Sequence, residues 1–394
     1  MPEAFLHPVV AEVLRALKRD LPFLHILVGP RQVGKSTAAW EIAQRRNVPF
    51  HFAAADTPLP PGPEWIRSQW EIARSLATMS KGALLILDEI QKVRGWSETV
   101  KFLWDEERRL GGRVRVILLG SSALLMQQGL TESLAGRFLL YRCPHWGFPE
   151  MRKAFGFTLD HWLYFGGYPG ASALSGDEVL WRRYVADSLV ETAVARDVLQ
   201  MNTVAKPALL RHLFGLAAGY PAQIFSYNKM LGQLQDAGNT VTLSHYLHLL
   251  ETAFLVSGLE MHRSVKARRG SSPKLVLWNN ALITALQNRP FADARTRDPS
   301  FWGRLLENAV GAHLLNGLGP DSVGYWREGD AEVDFTVSTA SGLKGVEVKS
   351  GKPENLRGMS AFLKRFPKAK PILVGTGGIP FEQFFSTTPS TFFN

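Results

Sequence analysis

Cysteine is almost missing from this chain: Cys143 is the single one in 394 residues. One thiol excludes an internal disulfide framework and any zinc site built on cysteines, and it suits a reducing cytoplasm. No uninterrupted apolar run approaches the roughly 20 residues of a membrane helix, so no span is expected. The N-terminal stretch lacks a signal-peptide layout, being interrupted by Glu3, Glu12, Arg15, Lys18 and Arg19. There is no internal repeat and no low-complexity tail. Acidic residues are in the minority, 35 against 45 Lys and Arg, leaving a formal charge of +10. Such a balance favours an anionic partner, with nucleic acid the first choice, although net charge alone also serves solubility.

The length calls for two or three domains with ample apolar material for their cores. The first is organised by Gly29-Pro30-Arg31-Gln32-Val33-Gly34-Lys35-Ser36-Thr37, which follows the apolar run 23–28 and precedes a helical pattern. Strand, glycine loop, then helix is the context in which G-x-x-x-x-G-K-[ST] reads as a phosphate cradle. Glycines at 29 and 34 let backbone amides curl around a polyphosphate. Lys35 is placed to reach the β- and γ-phosphates, and the Ser36 hydroxyl to ligate Mg²⁺. The chain is therefore expected to bind a nucleoside triphosphate, ATP with Mg²⁺.

Two further strands of the same domain end in polar residues. Ala83–Leu87 is apolar without alternation, as a strand buried on both faces should be, and it runs into Asp88-Glu89. At the carboxyl edge of an open α/β sheet, Asp88 would hold Mg²⁺ through water and Glu89 would orient the attacking water. Val114–Gly120 leads into Ser121 and Ser122, a small polar pair beside the γ-phosphate, or a simple helix cap. Arg137, after Leu134-Ala135-Gly136, reads either as an arginine finger reaching a neighbouring subunit or as an ordinary surface arginine.

Taken together, Gly-Pro-Arg-Gln-Val-Gly-Lys-Ser, Leu-Asp-Glu-Ile-Gln (87–91), Leu-Leu-Gly-Ser-Ser (118–122), Leu-Ala-Gly-Arg (134–137) and Phe-Gly-Gly-Tyr-Pro (165–169) resemble one family. It is that of prokaryotic AAA-type ATPases with a C-terminal domain of unknown function and an endonuclease-like core. The resemblance runs nearly end to end. It implies an AAA+ fold and hydrolysis of Mg-ATP between subunits of a ring or other oligomer, such as a hexamer. Arg137 matches the family's Gly-Arg position, and Glu150 a recurrent acidic one without an assigned role.

Beyond a Gly/Pro break at 166–169, a long amphipathic helix is expected over 181–199, then three shorter ones over 207–218, 226–235 and 241–254. A hairpin follows, 254–259 with 274–278, completing a winged-helix layout. On the third helix Ser244, His245 and His248 should face outward, and Val241, Leu243, Leu247 and Leu250 inward. Arg263, Lys266, Arg268, Arg269 and Lys274 are assigned to the hairpin tip, suited to phosphate contacts without base readout. Winged helices also dock proteins, and a basic run is often only a solvated face.

From Phe301 the order becomes helix, three strands, helix, strand, resembling the core of restriction-endonuclease-like nucleases. Their acid-then-acid-x-Lys signature is met by Asp334 and by Glu347-Val348-Lys349, with Glu307 available from the preceding helix. Glu307, Asp334 and Glu347 would hold Mg²⁺ while Lys349 positions water. Glu347 and Lys349 share one strand face. The same residues also fit a surface ion-pair group on a domain that binds without cutting.

The expected architecture is thus α/β throughout: a P-loop AAA+-type domain over 1–170, a winged-helix domain over 171–290 and a PD-(D/E)xK nuclease-like domain over 291–394. The leading functional expectation is an oligomeric ATPase that translocates along or remodels duplex or branched DNA, as in repair or recombination. Two rivals are a nucleotide-dependent switch that docks proteins, and a metal-dependent nuclease using ATP for assembly.

Overall fold

A computed structural model describes residues 7–19, 21–120, 133–199, 204–234, 238–263, 272–287, 289–351 and 357–393. Ser121, Ser122, Lys266, Arg268 and Arg269 lie outside them. The chain divides into two compact units, Met1–Pro144 and His145–Asn394.

The first unit opens with helix α1 (Pro8–Lys18), whose stripe Val9, Val10, Val13 and Leu17 is buried. Strand β1 (Leu24–Val28), α2 (Lys35–Arg46), β2 (Phe50–Ala54), α3 (Pro63–Thr78), β3 (Ala83–Asp88), α4 (Trp96–Arg109), β4 (Val114–Gly120) and β5 (Phe138–Arg142) follow. They form one sheet in the order β2-β3-β4-β1-β5, and every neighbouring pair is parallel. Central parallel strands are covered on both faces, which is why β3 carries Leu84, Leu85, Ile86 and Leu87 in succession, all fully buried. One face is filled by α3 and α4 through Ile66, Trp70, Ala73, Leu103 and Trp104. Glu107 closes that layer from α4: its carboxylate accepts the Val114 amide at 3.1 Å and pairs with Arg74 at 3.0 Å.

In the second unit, α5 (Phe148–Phe155) and α6 (Leu159–Phe165) come first. The long helix expected over 181–199 is present in an altered winding. An α-helix over Glu178–Arg183 passes into π-helical stretches at Tyr184–Val190 and Ala193–Leu199. Next come α7 (Pro207–Gly219), β6 (Gln223–Ile224), α8 (Tyr227–Gln233), α9 (Thr240–Thr252), β7 (Val256–Leu259) and β8 (Lys274–Leu277). The three strands make an antiparallel sheet in the order β6-β8-β7. Helix α9 is capped by Asn239, whose side chain accepts the Thr242 amide at 2.9 Å.

The last segment is α10 (Pro299–Leu318), β9 (Val323–Glu328), β10 (Ala331–Thr339), β11 (Gly342–Lys349), α11 (Arg357–Arg365) and β12 (Lys370–Gly375). Its sheet runs β12-β11-β10-β9, with β11 and β12 parallel and the other pairs antiparallel. The chain does not close on that strand as expected. Short helices at Phe381–Ser386 and Pro389–Phe393 return Phe384, Phe385 and Phe393 to the interior, all fully buried. No helix among the described residues is long and apolar enough to cross a membrane.

A network of buried amides holds the second unit together. Asn280 donates to the carbonyls of Leu163 at 2.8 Å and Leu305 at 2.9 Å. Asn308 accepts the Leu277 amide and donates to the Leu277 carbonyl, both at 2.9 Å, and its amide nitrogen also reaches Asn280 Oδ1 at 2.9 Å. Asn279 Oδ1 accepts the Gly167 amide at 3.1 Å. The Gly166-Gly167 pair follows from this closeness: a Cβ on Gly166 would lie 2.0 Å from Asn279 Oδ1, and one on Gly167 1.9 Å from the Trp146 carbonyl oxygen.

Candidate functional site

The P-loop occupies the turn between β1 and α2, at the carboxyl edge of the first sheet. Gly29 is required there because a Cβ would sit 2.0 Å from the Cys143 carbonyl oxygen. Gly34 adopts φ 88°, a left-handed conformation that favours glycine, and Gln32 shares that region at φ 60°. These reversals turn successive amides of the loop toward one concavity at the positive end of α2.

Lys35 is buried, and its ammonium donates to the loop carbonyls of Gly29 at 3.0 Å and Pro30 at 2.6 Å. Both are acceptors that phosphate oxygens can replace. Ser36 donates its hydroxyl to Asp88 Oδ2 at 2.6 Å, so the two oxygens expected to flank Mg²⁺ lie one hydrogen bond apart. Burial raises the Asp88 carboxyl, the Ser36 hydroxyl bond opposes this, and the charge of Glu89 adds to it. A divalent ion beside this pair would favour its ionised form. The residues therefore fit a Mg-nucleotide. Replacing Lys35 with alanine is expected to weaken ATP binding by about 10²-fold, from the loss of a charge-assisted contact to phosphate. Titration with a fluorescent nucleotide analogue checks this, and an unchanged affinity would contradict it.

Glu89, one residue on, holds φ 53° and ψ 35°, strained for a non-glycine residue. Its Oε2 accepts from Gln91 Nε2 at 2.9 Å and lies 3.6 Å from the Lys92 ammonium. Lys92 is itself anchored to Asp56 at 2.6 Å. Gln91 belongs to the 87–91 motif read in the sequence, whereas Lys92 and Asp56 were not singled out there.

Arg137 lies elsewhere. It precedes β5, and the pairing of Leu24 with Phe138 puts it level with the start of β1. The P-loop follows the far end of β1, about 16 Å away along a five-residue strand. Within one subunit Arg137 is thus at the opposite edge of the sheet from Lys35 and Asp88. It makes a two-pronged pair with Asp105 at 3.0 and 3.2 Å, which holds the Asp105 carboxyl below its ordinary range. Glu150 acquires a local role: it sits in the first turn of α5, and its carboxylate accepts the backbone amides of Glu150 itself and Gly147.

On α9, Ser244, His245 and His248 are exposed, as the helical spacing predicts, and Leu243, Leu247 and Leu250 are buried. Val241 departs from that reading with 74% of its surface exposed, because it belongs to the first turn, beyond the reach of the core. Arg263 is exposed.

Lys274 overturns a second assignment. It does not belong to a basic hairpin tip but opens β8 and is fully buried. Its ammonium lies 2.7 Å from Glu307, 3.4 Å from Glu332 and 3.8 Å from Asp334. Burial pulls its pKa down, and the charges of Glu307, Asp334 and Glu332 more than reverse this, so it stays protonated. Asp334 is pushed up to about 7 by burial and by the neighbouring charges of Glu307 and Glu347, with Lys274 opposing. Glu347 pairs with Lys349 at 2.7 Å. Glu307, Asp334, Glu347 and Lys349 are thus gathered from α10, β10 and β11 as expected.

Their use as metal ligands is not supported. Among the described residues no group of three or more His, Cys, Asp or Glu side chains is disposed to hold a metal ion. Glu307 is instead spanned by two cations, Lys274 at 2.7 Å and Arg304 at 2.9 Å.

Comparison with known proteins gives three matched stretches. Residues 23–152 match the AAA domain, residues 156–293 a domain of unknown function (DUF8612) and residues 302–390 another (DUF4143). Two uncharacterized proteins, Rv2008c of Mycobacterium tuberculosis and Mb2031c of Mycobacterium bovis, are each 27% identical over 372 residues, 93% of this chain and 79% of theirs. Among solved structures, the Walker-type ATPase PABY2304 of Pyrococcus abyssi superposes with a TM-score of 0.50 at 15% identity, covering 72% of this chain and 96% of its own. At that identity the likeness speaks for fold. The first unit therefore carries an AAA-type P-loop ATPase domain.

Proposed function

We propose that this chain is an oligomeric Mg-ATP-hydrolysing ATPase that acts on DNA, translocating along or remodelling duplex or branched substrates. The observation that carries the ATPase part is the Ser36–Asp88 contact at 2.6 Å beside Lys35, with Glu89 next in sequence. Mg-ATP, when bound, supplies the electrophilic phosphorus and its leaving group. Loop amides and Lys35 bind and orient the phosphates, and Ser36 and Asp88 are the residues that would hold the cation. Glu89 accepts a proton from, and orients, the attacking water. Arg137 completes the site of an adjacent subunit.

The DNA part rests on a net charge of +10 and on the order α7-β6-α8-α9-β7-β8, which suits a winged helix. In it α9 offers Ser244 and His245, and the segment after β7 offers Arg263, Lys266, Arg268 and Arg269, to phosphates. The α10-β9-β10-β11-α11-β12 order suits a nuclease-like core that grips rather than cuts, since its carboxylates are already paired with lysines and an arginine.

The test is ATP turnover with and without linear and forked duplex, alongside binding measured across salt. Stimulation of several-fold is expected, with an affinity that falls steeply between 50 and 200 mM salt, as phosphate contacts by several basic residues require. Turnover indifferent to every DNA offered, with no salt-dependent binding, would instead favour a nucleotide-dependent protein scaffold.

A further inference from the structure

We infer that the Lys274 ammonium is the resident cation of the acidic cluster formed by Glu307, Glu332 and Asp334, occupying the place to which a divalent ion would otherwise be drawn. The inference does not depend on the reading of the first unit as a DNA-acting ATPase.

Four observations converge on it. Lys274 is fully buried, and its Nζ faces three carboxylates carried by two different elements, Glu307 from α10 and Glu332 and Asp334 from β10. The Phe335 ring closes the same charge from 4.9 Å. Three of the cluster's oxygens already have a close partner: Glu307 Oε1 meets Lys274, Glu307 Oε2 meets Arg304 at 2.9 Å, and Asp334 Oδ2 accepts the Val348 amide at 2.7 Å. Glu347, whose charge acts on Asp334, spends one oxygen on Lys349 and keeps the other, Oε2, buried without a hydrogen-bond partner.

A hard divalent cation takes six or more oxygens at roughly 2.0–2.6 Å, which an ammonium already inside the cluster prevents by occupying those acceptors and by repulsion. Removal of that ammonium leaves Glu307, Glu332 and Asp334 around a vacated positive charge. That is a latent metal site. The lysine comes from the antiparallel sheet that precedes the α/β core in sequence, so the same contact fastens the two sheets of the second unit.

The experiment uses the nucleotide-free full-length protein and Mn²⁺ alone, with free Mn²⁺ read from its electron paramagnetic resonance signal. Wild type is expected to show no site tighter than about 1 mM that is lost in Asp334→Asn. Lys274→Met, which keeps the length of the stem and removes its charge, is expected to gain one site per chain, at least about tenfold tighter. In Lys274→Met/Asp334→Asn that site should vanish. Should Lys274→Met fail to fold because of its uncompensated carboxylates, Lys274→Met/Glu332→Gln lowers the excess charge and gives the same readout. A wild-type Mn²⁺ site abolished by Asp334→Asn overturns the inference, and this arm needs no lysine variant. A folded Lys274→Met, or the double variant in its place, that gains no site overturns it equally.

Discussion

Replacing Arg137 with alanine is expected to slow ATP turnover by about 10³-fold in the assembled protein while leaving nucleotide affinity nearly unchanged. The argument is one of sheet polarity. All five strands of the first unit are parallel, so every carboxyl end lies on one edge, with the P-loop after β1 and Asp88 closing β3. Arg137 enters β5 from the other edge and cannot reach the phosphates of its own subunit. In the proposed oligomer the recipient is the site of a neighbouring subunit. To act there, Arg137 has to leave Asp105, and a pair this open to solvent costs little to break. Mixing the Arg137→Ala protein with a Glu89→Gln protein should restore part of the activity, because such pairs regenerate some sites with both groups intact. Mixed oligomers that form but stay inactive would refute the assignment.

The second large effect concerns Glu89 itself. Glu89→Gln keeps the shape of the side chain and the hydrogen bond from Gln91 Nε2, yet removes the charge that accepts a proton from water. Turnover is expected to fall by about 10²–10⁴-fold with ATP still bound, the range associated with a lost general base. Single-turnover hydrolysis and nucleotide retention on the same sample separate chemistry from binding. A rate within a few-fold of wild type would hand the role of water activation to another group.

Where local chemistry dictates position, the sequence was an accurate guide. The P-loop, the apolar strand ending in Asp88 and the order of elements after Phe301 were all legible, because each depends on neighbours close in the chain. What escaped depended on distance. Lys274 looks like one more residue of a basic run, and nothing within twenty residues of it announces Glu307, Glu332 or Asp334. Asn279, Asn280 and Asn308 likewise read as loop or helix-surface residues, yet the amides of Asn279 and Asn280 tie segments more than a hundred residues apart and Asn308 binds back to Leu277. The π-helical winding after Arg183 has no period that an α-helical template would detect. The two closing helices fell below the length at which periodicity speaks.

The buried amides and Lys274 also bear on how the molecule can be dissected. A fragment ending near residue 290 would strand Asn280 without the Leu305 carbonyl, Leu277 without Asn308 and Lys274 without any carboxylate of its cluster. The complementary piece would carry those carboxylates without the Lys274 ammonium, leaving Arg304 on Glu307 alone. Neither half is a natural product for expression on its own. A recombinant truncation that respects the fold keeps everything after Pro144 in one piece.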